Sequence, residues 1–265
     1  MSANENGANS SHIDDVVPTH IPFALVQSCV RGLVITAVNE RARVDGIAIG
    51  QPLADARAAF PGLLTRLAEP ELDQARLLTF AHAVGRYGPT RNVEGEDGLW
   101  IDITGVAHLF GSEEALAQDI RQHFARTGYK TRIGIAETLA AAFAFARYTP
   151  QTKIAIAAPT KTAMALFDLP VEALQLERQT AILLKRLGLR CIGQLYNLPR
   201  SVLSRRFRDI KRQGKAKGSP KLVDNAKYAG SAHARAHLAQ AVVQRLDQAL
   251  GRAADPRVTL AQPPA

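Results

Sequence analysis

The stretch EDGLWIDITG, residues 96–105, holds the side chains best suited to chemistry. Phosphoryl transfer assisted by two divalent cations needs oxygen ligands that bridge and flank both ions. Two neighbouring acids where a turn enters a strand, with a third acid on an adjacent strand, meet that need. Here Asp97 is followed by Gly98, and the next acid, Asp102, lies five residues further on. With glycine in the position that follows it, Asp97 reads as a turn residue. Trp100 and Ile101 read as core. His108 has no acid or histidine at ligand spacing, and the seven histidines form no constellation. No metal site is expected. Asp168, ahead of Leu169 and Pro170, reads as a turn or cap.

The second chemical feature is a concentration of charge. The chain carries a net charge of +9. Residues 178–221 hold 13 Lys and Arg and a single acid, Asp209, which leaves the remainder slightly acidic. A basic stripe of this kind is the electrostatic footprint for a phosphate backbone. For the half after Phe207, a solvated basic linker remains the competing reading. The half before it, RQTAILLKRLGLRCIGQLYNLPRSVLSRRF, reads as two short helices around a turn bracketed by Gly188 and Gly193, and resembles a helix-hairpin-helix module. Such a turn lets backbone N–H groups approach a phosphate while nearby cations neutralise it. Lys185, Arg186, Arg190 and Arg200 lie around the turn, and Arg205 and Arg206 follow it. Two packed helices with exposed basic residues are the plainer alternative.

These residues need elements to position them. A chain of 265 residues, 46% apolar, is long enough for one large domain or two small ones. Cys29 and Cys191 are the only cysteines; they make neither a disulfide framework nor a zinc motif, and a reducing cytoplasm fits. No run of 18 apolar residues predicts a membrane span. Residues 1–21 are polar and read as a disordered tail. PFALV (22–26) and LVITAVN (33–39) read as paired strands, 52–60 as a short helix opened by Pro52, and 70–85 as a longer helix. Strands follow at 98–104, 131–136 and 153–158. Between them lie a helix capped by Ser112, with a stripe at Leu116, Ile120 and Phe124, and an alanine-rich helix over 137–148, with Ala142, Phe145 and Ala146 on its buried face. This alternation predicts an α/β layer, with a split βαβ, ferredoxin-like sheet as the favoured topology. Residues 159–252 read as all-helical, interrupted by a flexible basic insertion at 208–237 and resumed as helix at 241–252. Residues 253–265 read as a loose tail.

The order of these segments resembles the Y-family translesion DNA polymerases, most closely the ImuB-like branch. RGLVITAVNERARVDGIAIGQPLADARAAFPGL is similar to the family stretch in which a strand leads to N-x-x-A-R, a glycine-containing turn and an alanine-rich helix ending in proline. GRYGPTRNVEGEDGLWIDITGVAHLFG resembles the palm hairpin, and RIGIAETLAAAFAFAR the strand and helix after it. LPVEALQLERQTAILLKRLGLRCIGQLYNLPRSVLSRRF resembles the thumb, and RLDQALGR the helix that follows. The resemblance covers about residues 22–207 and 244–252. It implies a palm and fingers remnant over 22–158 and a helix-hairpin-helix thumb over 159–252.

Active members of the family have Asp-Glu in this hairpin, three apolar residues, then Asp-x-Thr. Asp97 matches the first acid, Gly98 stands where the glutamate is expected, and Asp102 matches an aspartate that is not a metal ligand. The third ligand, on the first palm strand, would fall at or before Met1; Asp14 and Asp15 lie in the polar tail rather than in an apolar strand. Arg43 matches an arginine that helps hold the triphosphate. The aromatic expected near Glu40 is absent, and the palm-helix lysine falls on Leu139 or Phe143. The resemblance therefore implies a catalytically inactive protein, needing no cofactor. It would act in the cytoplasm as a DNA-binding adaptor in SOS mutagenesis and damage tolerance, joining DNA to a RecA-like accessory protein and an error-prone replicative-type polymerase. A clamp-binding segment and a little-finger domain are not seen, which reads as truncation at both ends. Two alternatives remain: an active magnesium-dependent Y-family nucleotidyltransferase, and a general helix-hairpin-helix DNA-binding module. On the first reading, Gly98→Glu should not restore magnesium-dependent primer extension, because the first-strand ligand would still be missing. Extension by that variant would overturn this account of the N-terminal region.

Overall fold

The structure, a computed structural model, describes residues 19–30, 32–150, 152–199, 201–203, 205–206 and 232–260. The chain forms two compact units, Met1–Arg76 and Leu77–Ala265.

In the first unit, β1 (Phe23–Cys29) and β2 (Gly32–Val38) form the expected antiparallel pair, with a register shift between Leu25 and Val26. A short strand not anticipated from sequence, β3 (Leu64–Leu67), pairs parallel to β1, giving the order β2-β1-β3. Asn39 joins sheet to helix. Its Oδ1 caps α1 (Glu40–Val44) by accepting from Ala42 N at 2.9 Å, and also accepts from Phe23 N at 3.1 Å. Its Nδ2 donates to Ile21 O at 2.8 Å. Ile21, expected in the tail, is therefore already tied to the fold; residues 1–18, including Asp14 and Asp15, lie outside the described residues. Pro52 opens α2 (Leu53–Ala59). Ala24, Val26, Ile35, Ala42, Leu53 and Ala56 form the core.

Helix α3 (Pro70–Ala83) runs from the first unit into the second. The second unit has a hairpin of β4 (Arg91–Glu94) and β5 (Gly98–Ile101), then α4 (Glu113–Arg126), then β6 (Ile133–Ile135), α5 (Leu139–Tyr148) and β7 (Ile154–Ile156). Strands β6 and β7 pair parallel as direct neighbours, so β6-α5-β7 is a βαβ unit with no strand between its two parallel strands. The hairpin forms its own two-stranded sheet. Leu99, Ile101 and Ile133 nevertheless pack on one cluster with Leu116, Ile120 and Phe124 of α4, so both sheets share that helix layer. Ser112 caps α4 as the sequence predicts, accepting from Ala115 N at 3.1 Å. Strand β5 stops before the expected residue 104 because Asp102 Oδ1 accepts from Thr104 N at 2.9 Å, a local turn that competes with the ladder.

Helix α5 is alanine-rich for two reasons. One face meets β6 so closely that a Cβ on Gly134 would lie 2.1 Å from Ala142 O and 2.6 Å from Ala146 N. The other buries Ala140, Ala141, Ala144 and Phe145 in a cluster shared with the helical residues that follow. These are α6 (Thr162–Leu166), α7 (Arg178–Arg186), two 3₁₀ turns at Val171–Leu174 and Ile192–Leu195, and α8 (Ala232–Ala249).

Two expectations for the C-terminal part need correction. Helix α8 starts at Ala232, so residues 232–237 of the expected flexible insertion are helical; AHARAH has ample helix propensity and runs on into the stripe of Ala239, Val242 and Leu246. The rest of the insertion, 208–231, lies outside the described residues. Residues 255–260 are not a loose tail. Leu260 N donates to Arg91 O at 2.8 Å, and Asn92 Nδ2 donates to Val258 O at 2.9 Å, so this segment lies along β4. Among the described residues no helix is long and apolar enough to cross a membrane.

Replacing Gly134 by Ala should cost at least about 2 kcal/mol, because the backbone of α5 must move away from β6. Urea unfolding measures this; an unchanged midpoint would mean that α5 does not press on β6.

Candidate functional site

The β4–β5 hairpin places the acids. Its register pairs Arg91 with Ile101, Asn92 with Trp100, Val93 with Leu99 and Glu94 with Gly98. The turn between Glu94 and Gly98 is made with Gly95 at φ +65°, a left-handed conformation suited to glycine. Asp97 sits at the end of that turn, with a largely exposed side chain. Both its carboxylate oxygens accept from the guanidinium of Arg147, in the last turn of α5. Arg147 Nη1 donates to Oδ2 at 2.9 Å, and Nη2 donates to Oδ1. These hydrogen bonds hold the Asp97 carboxyl below the usual carboxylate range, against partial burial that pushes it up. The ring of Phe143 lies under the same guanidinium, 4.8 Å from its carbon. Gly98 follows, and a Cβ there would lie 2.8 Å from Glu94 O and 3.5 Å from Arg147 Nη2. Hydrogen bonding from Thr104 holds the Asp102 carboxyl low, so its charge serves a turn.

Glu94, at the end of β4, is also engaged. Its Oε2 accepts from Arg257 Nη1 at 2.6 Å and its Oε1 from Gln175 Nε2 at 2.8 Å. Arg257 also reaches Asp255 at 3.1 Å. The residues on this turn do not fit a two-cation site: one acid position is glycine, and the carboxylate beside it already faces a guanidinium. Among the described residues, no three His, Cys, Asp or Glu side chains are grouped to hold a metal ion.

In the helical part, the turn between α7 and the 3₁₀ turn at Ile192–Leu195 has its N–H groups satisfied internally. Gly188 N donates to Lys185 O and Leu189 N to Leu184 O. Arg190 N and Cys191 N both donate to Gln194 Oε1, at 2.6 and 3.1 Å. Ile192 N donates to Leu169 O, and Gly193 N to Phe167 O. These amides are therefore engaged within the fold. Gly188 has φ +80° and ends α7 as a left-handed cap, whereas Gly193 is needed for packing: a Cβ there would lie 2.3 Å from the Phe167 ring. Lys185 is ion-paired with Glu172. Arg186, Arg190, Arg205 and Arg206 are exposed, and Arg200 lies outside the described residues. Arg43, in α1 of the first unit, is paired with Glu40 at 2.6 Å and stands largely in solvent. Sequence reasoning missed Arg147, Arg257 and Gln194. An arginine in a last helical turn is ordinary, and Arg257 lies 163 residues from Glu94, so neither pairing left a local signal.

With this geometry in view, comparison with known proteins is informative. Residues 17–146 match the impB/mucB/samB family. Protein ImuB of Caulobacter vibrioides is 41% identical over 162 residues, 61% of this chain and 35% of ImuB. DNA polymerase IV of Dehalococcoides mccartyi is 29% identical over 177 residues, 66% of this chain and 45% of that protein. Among solved structures, the post-insertion binary complex of Dbh DNA polymerase superposes with a TM-score of 0.62 at 16% identity, covering 89% of this chain and 61% of Dbh. DinB from Sulfolobus solfataricus gives 0.57 at 16% identity, covering 76% of this chain and 61% of DinB. The fold is that of the Y-family polymerases, with palm strands followed by a helical thumb. Residues 17–146 are thus similar to the impB/mucB/samB family and the chain to ImuB, and it spans about a third of the length of the ImuB relative it matches.

The Asp97–Arg147 pair has a defined pH signature. Asp97 has a depressed carboxyl pKa in the folded state, so its contribution is present above the unfolded value of about 3.9 and is lost as pH falls through the folded value. Arg147→Gln should lower Tm by no more than about 3 °C near neutral pH, because the Asp97 side of the pair is largely solvent-exposed. The difference from wild type should shrink in acid; a difference that grows below pH 4 would contradict the pairing.

Proposed function

We propose that the chain is a non-catalytic, Y-family-like DNA-binding adaptor of bacterial damage tolerance, working with an error-prone polymerase in translesion synthesis. The observation that carries this reading is the palm hairpin: Gly98 stands where a second acid is needed, and Asp97 is bound to Arg147. A transferase whose transition state is stabilised by two cations would lose most of its advantage there. An adaptor needs DNA affinity and protein surfaces only. The remaining partners are a RecA-like accessory protein and an error-prone replicative-type polymerase, met in the cytoplasm.

DNA affinity rests on side-chain cations in this reading, since the amides of the thumb turn are already used. Arg186, Arg190, Arg205 and Arg206 are exposed and follow one another closely in sequence. Contacts of this type position a protein on the backbone and carry no sequence information. Phosphate neutralisation releases counterions, so four such contacts correspond to a log–log salt slope of about −3 to −4.

Purified protein should extend no primer with magnesium or manganese, and incorporation would overturn the non-catalytic reading. Changing the four arginines to Ala should weaken binding equally on unrelated duplexes and flatten the salt slope. Unchanged binding would remove this surface from the DNA contact.

A further inference from the structure

Two of the three acids of the β4–β5 hairpin, Asp97 and Glu94, have their carboxylates occupied, each by a guanidinium from a different part of the fold. Arg147 reaches Asp97 from the last turn of α5, and Arg257 reaches Glu94 from the segment after α8. An arginine fork and a divalent cation compete for the same carboxylate lone pairs. Once seated, the guanidinium also repels a second cation over the same few ångströms. The donor set thus disagrees with the two-cation site that the family implies. We propose that Arg147 is the resident cation of this turn, seated on Asp97 in place of a divalent ion.

The turn is therefore filled rather than merely stripped of ligands. A glutamate at position 98 would enter beside Arg147, whose Nη2 lies 3.5 Å from the Cβ position. It would extend the ion pair instead of capturing magnesium. The clasp also makes the hairpin's attachment to α5 independent of metal concentration, because its cation is part of the chain and keeps its charge at any physiological pH. The adaptor reading stands or falls on DNA binding and primer extension, so the two can fail separately.

The test is a manganese titration of the full chain, followed by paramagnetic broadening of the Asp97 and Gly98 amide signals. In wild type these signals should withstand manganese. In Arg147→Gln they should broaden at about tenfold lower manganese, because the carboxylate is exposed and no longer faces a cation. Asp97→Asn in that background should remove the effect. Arg147→Lys keeps the charge but cannot fill both oxygens, and should also broaden at lower manganese than wild type; it serves if the glutamine variant fails to fold. Either folded variant titrating with wild type would overturn the proposal. So would wild-type broadening at low manganese that Asp97→Asn abolishes.

Discussion

The absence of a side chain at residue 134 governs the second unit. Because nothing intervenes between β6 and α5, the helix lies against the strand at backbone distance. Its opposite face is left to the thumb, and small alanines with Phe145 let α7 and α8 share a core with it. Both ends of the helix are then used. At the start, Thr138 caps α5, accepting from Ala141 N, and donates to Ala249 O at the end of α8. At the finish, Arg132 donates to Ala146 O and Thr149 O, satisfying terminal carbonyls. Arg147, the penultimate residue of α5, reaches the hairpin. Palm strand, thumb and hairpin thus all take their positions from one ten-residue helix.

Polar groups in this unit are handled with few spare partners. Arg91 is almost fully buried without a carboxylate; it donates to Ala81 O at 2.6 Å and Pro89 O at 2.9 Å, ending α3 and fixing the entry to β4. Tyr87 is wholly buried, and its hydroxyl donates to Asp119 Oδ2 at 2.6 Å. Burial and that carboxylate push the phenol pKa up to about 12, so it stays a hydrogen-bond donor at any physiological pH. At the hairpin, Asp97 and Glu94 have their charges met by Arg147 and Arg257 from within the same unit.

Much of this was legible in the sequence wherever a short pattern has a local physical cause. The Ser112 cap, the Leu116–Ile120–Phe124 stripe and the proline start of α2 follow from spacing alone. Asn39 was noticed within a motif, and its actual work is to cap α1 and hold the start of β1. The site was less legible, because its contacts are long-range. Gly98 declared the missing acid, but nothing near Asp97 in sequence named Arg147, fifty residues away. The thumb turn misled in the opposite direction: its glycines promised open amides, yet Gln194, one residue beyond Gly193, closes two of them. Arg257 was overlooked because a Pro-containing end reads as loose until its charge finds Glu94.

The placement of the single tryptophan has an optical consequence. Trp100 lies in β5, opposite Asn92, within the unit Leu77–Ala265. The three-stranded sheet of the other unit has its own core and no indole. Intrinsic fluorescence excited at the indole band therefore reports on one core alone, while circular dichroism sums over both. Where the two signals trace different melting curves, the offset between them measures how independently the two cores unfold.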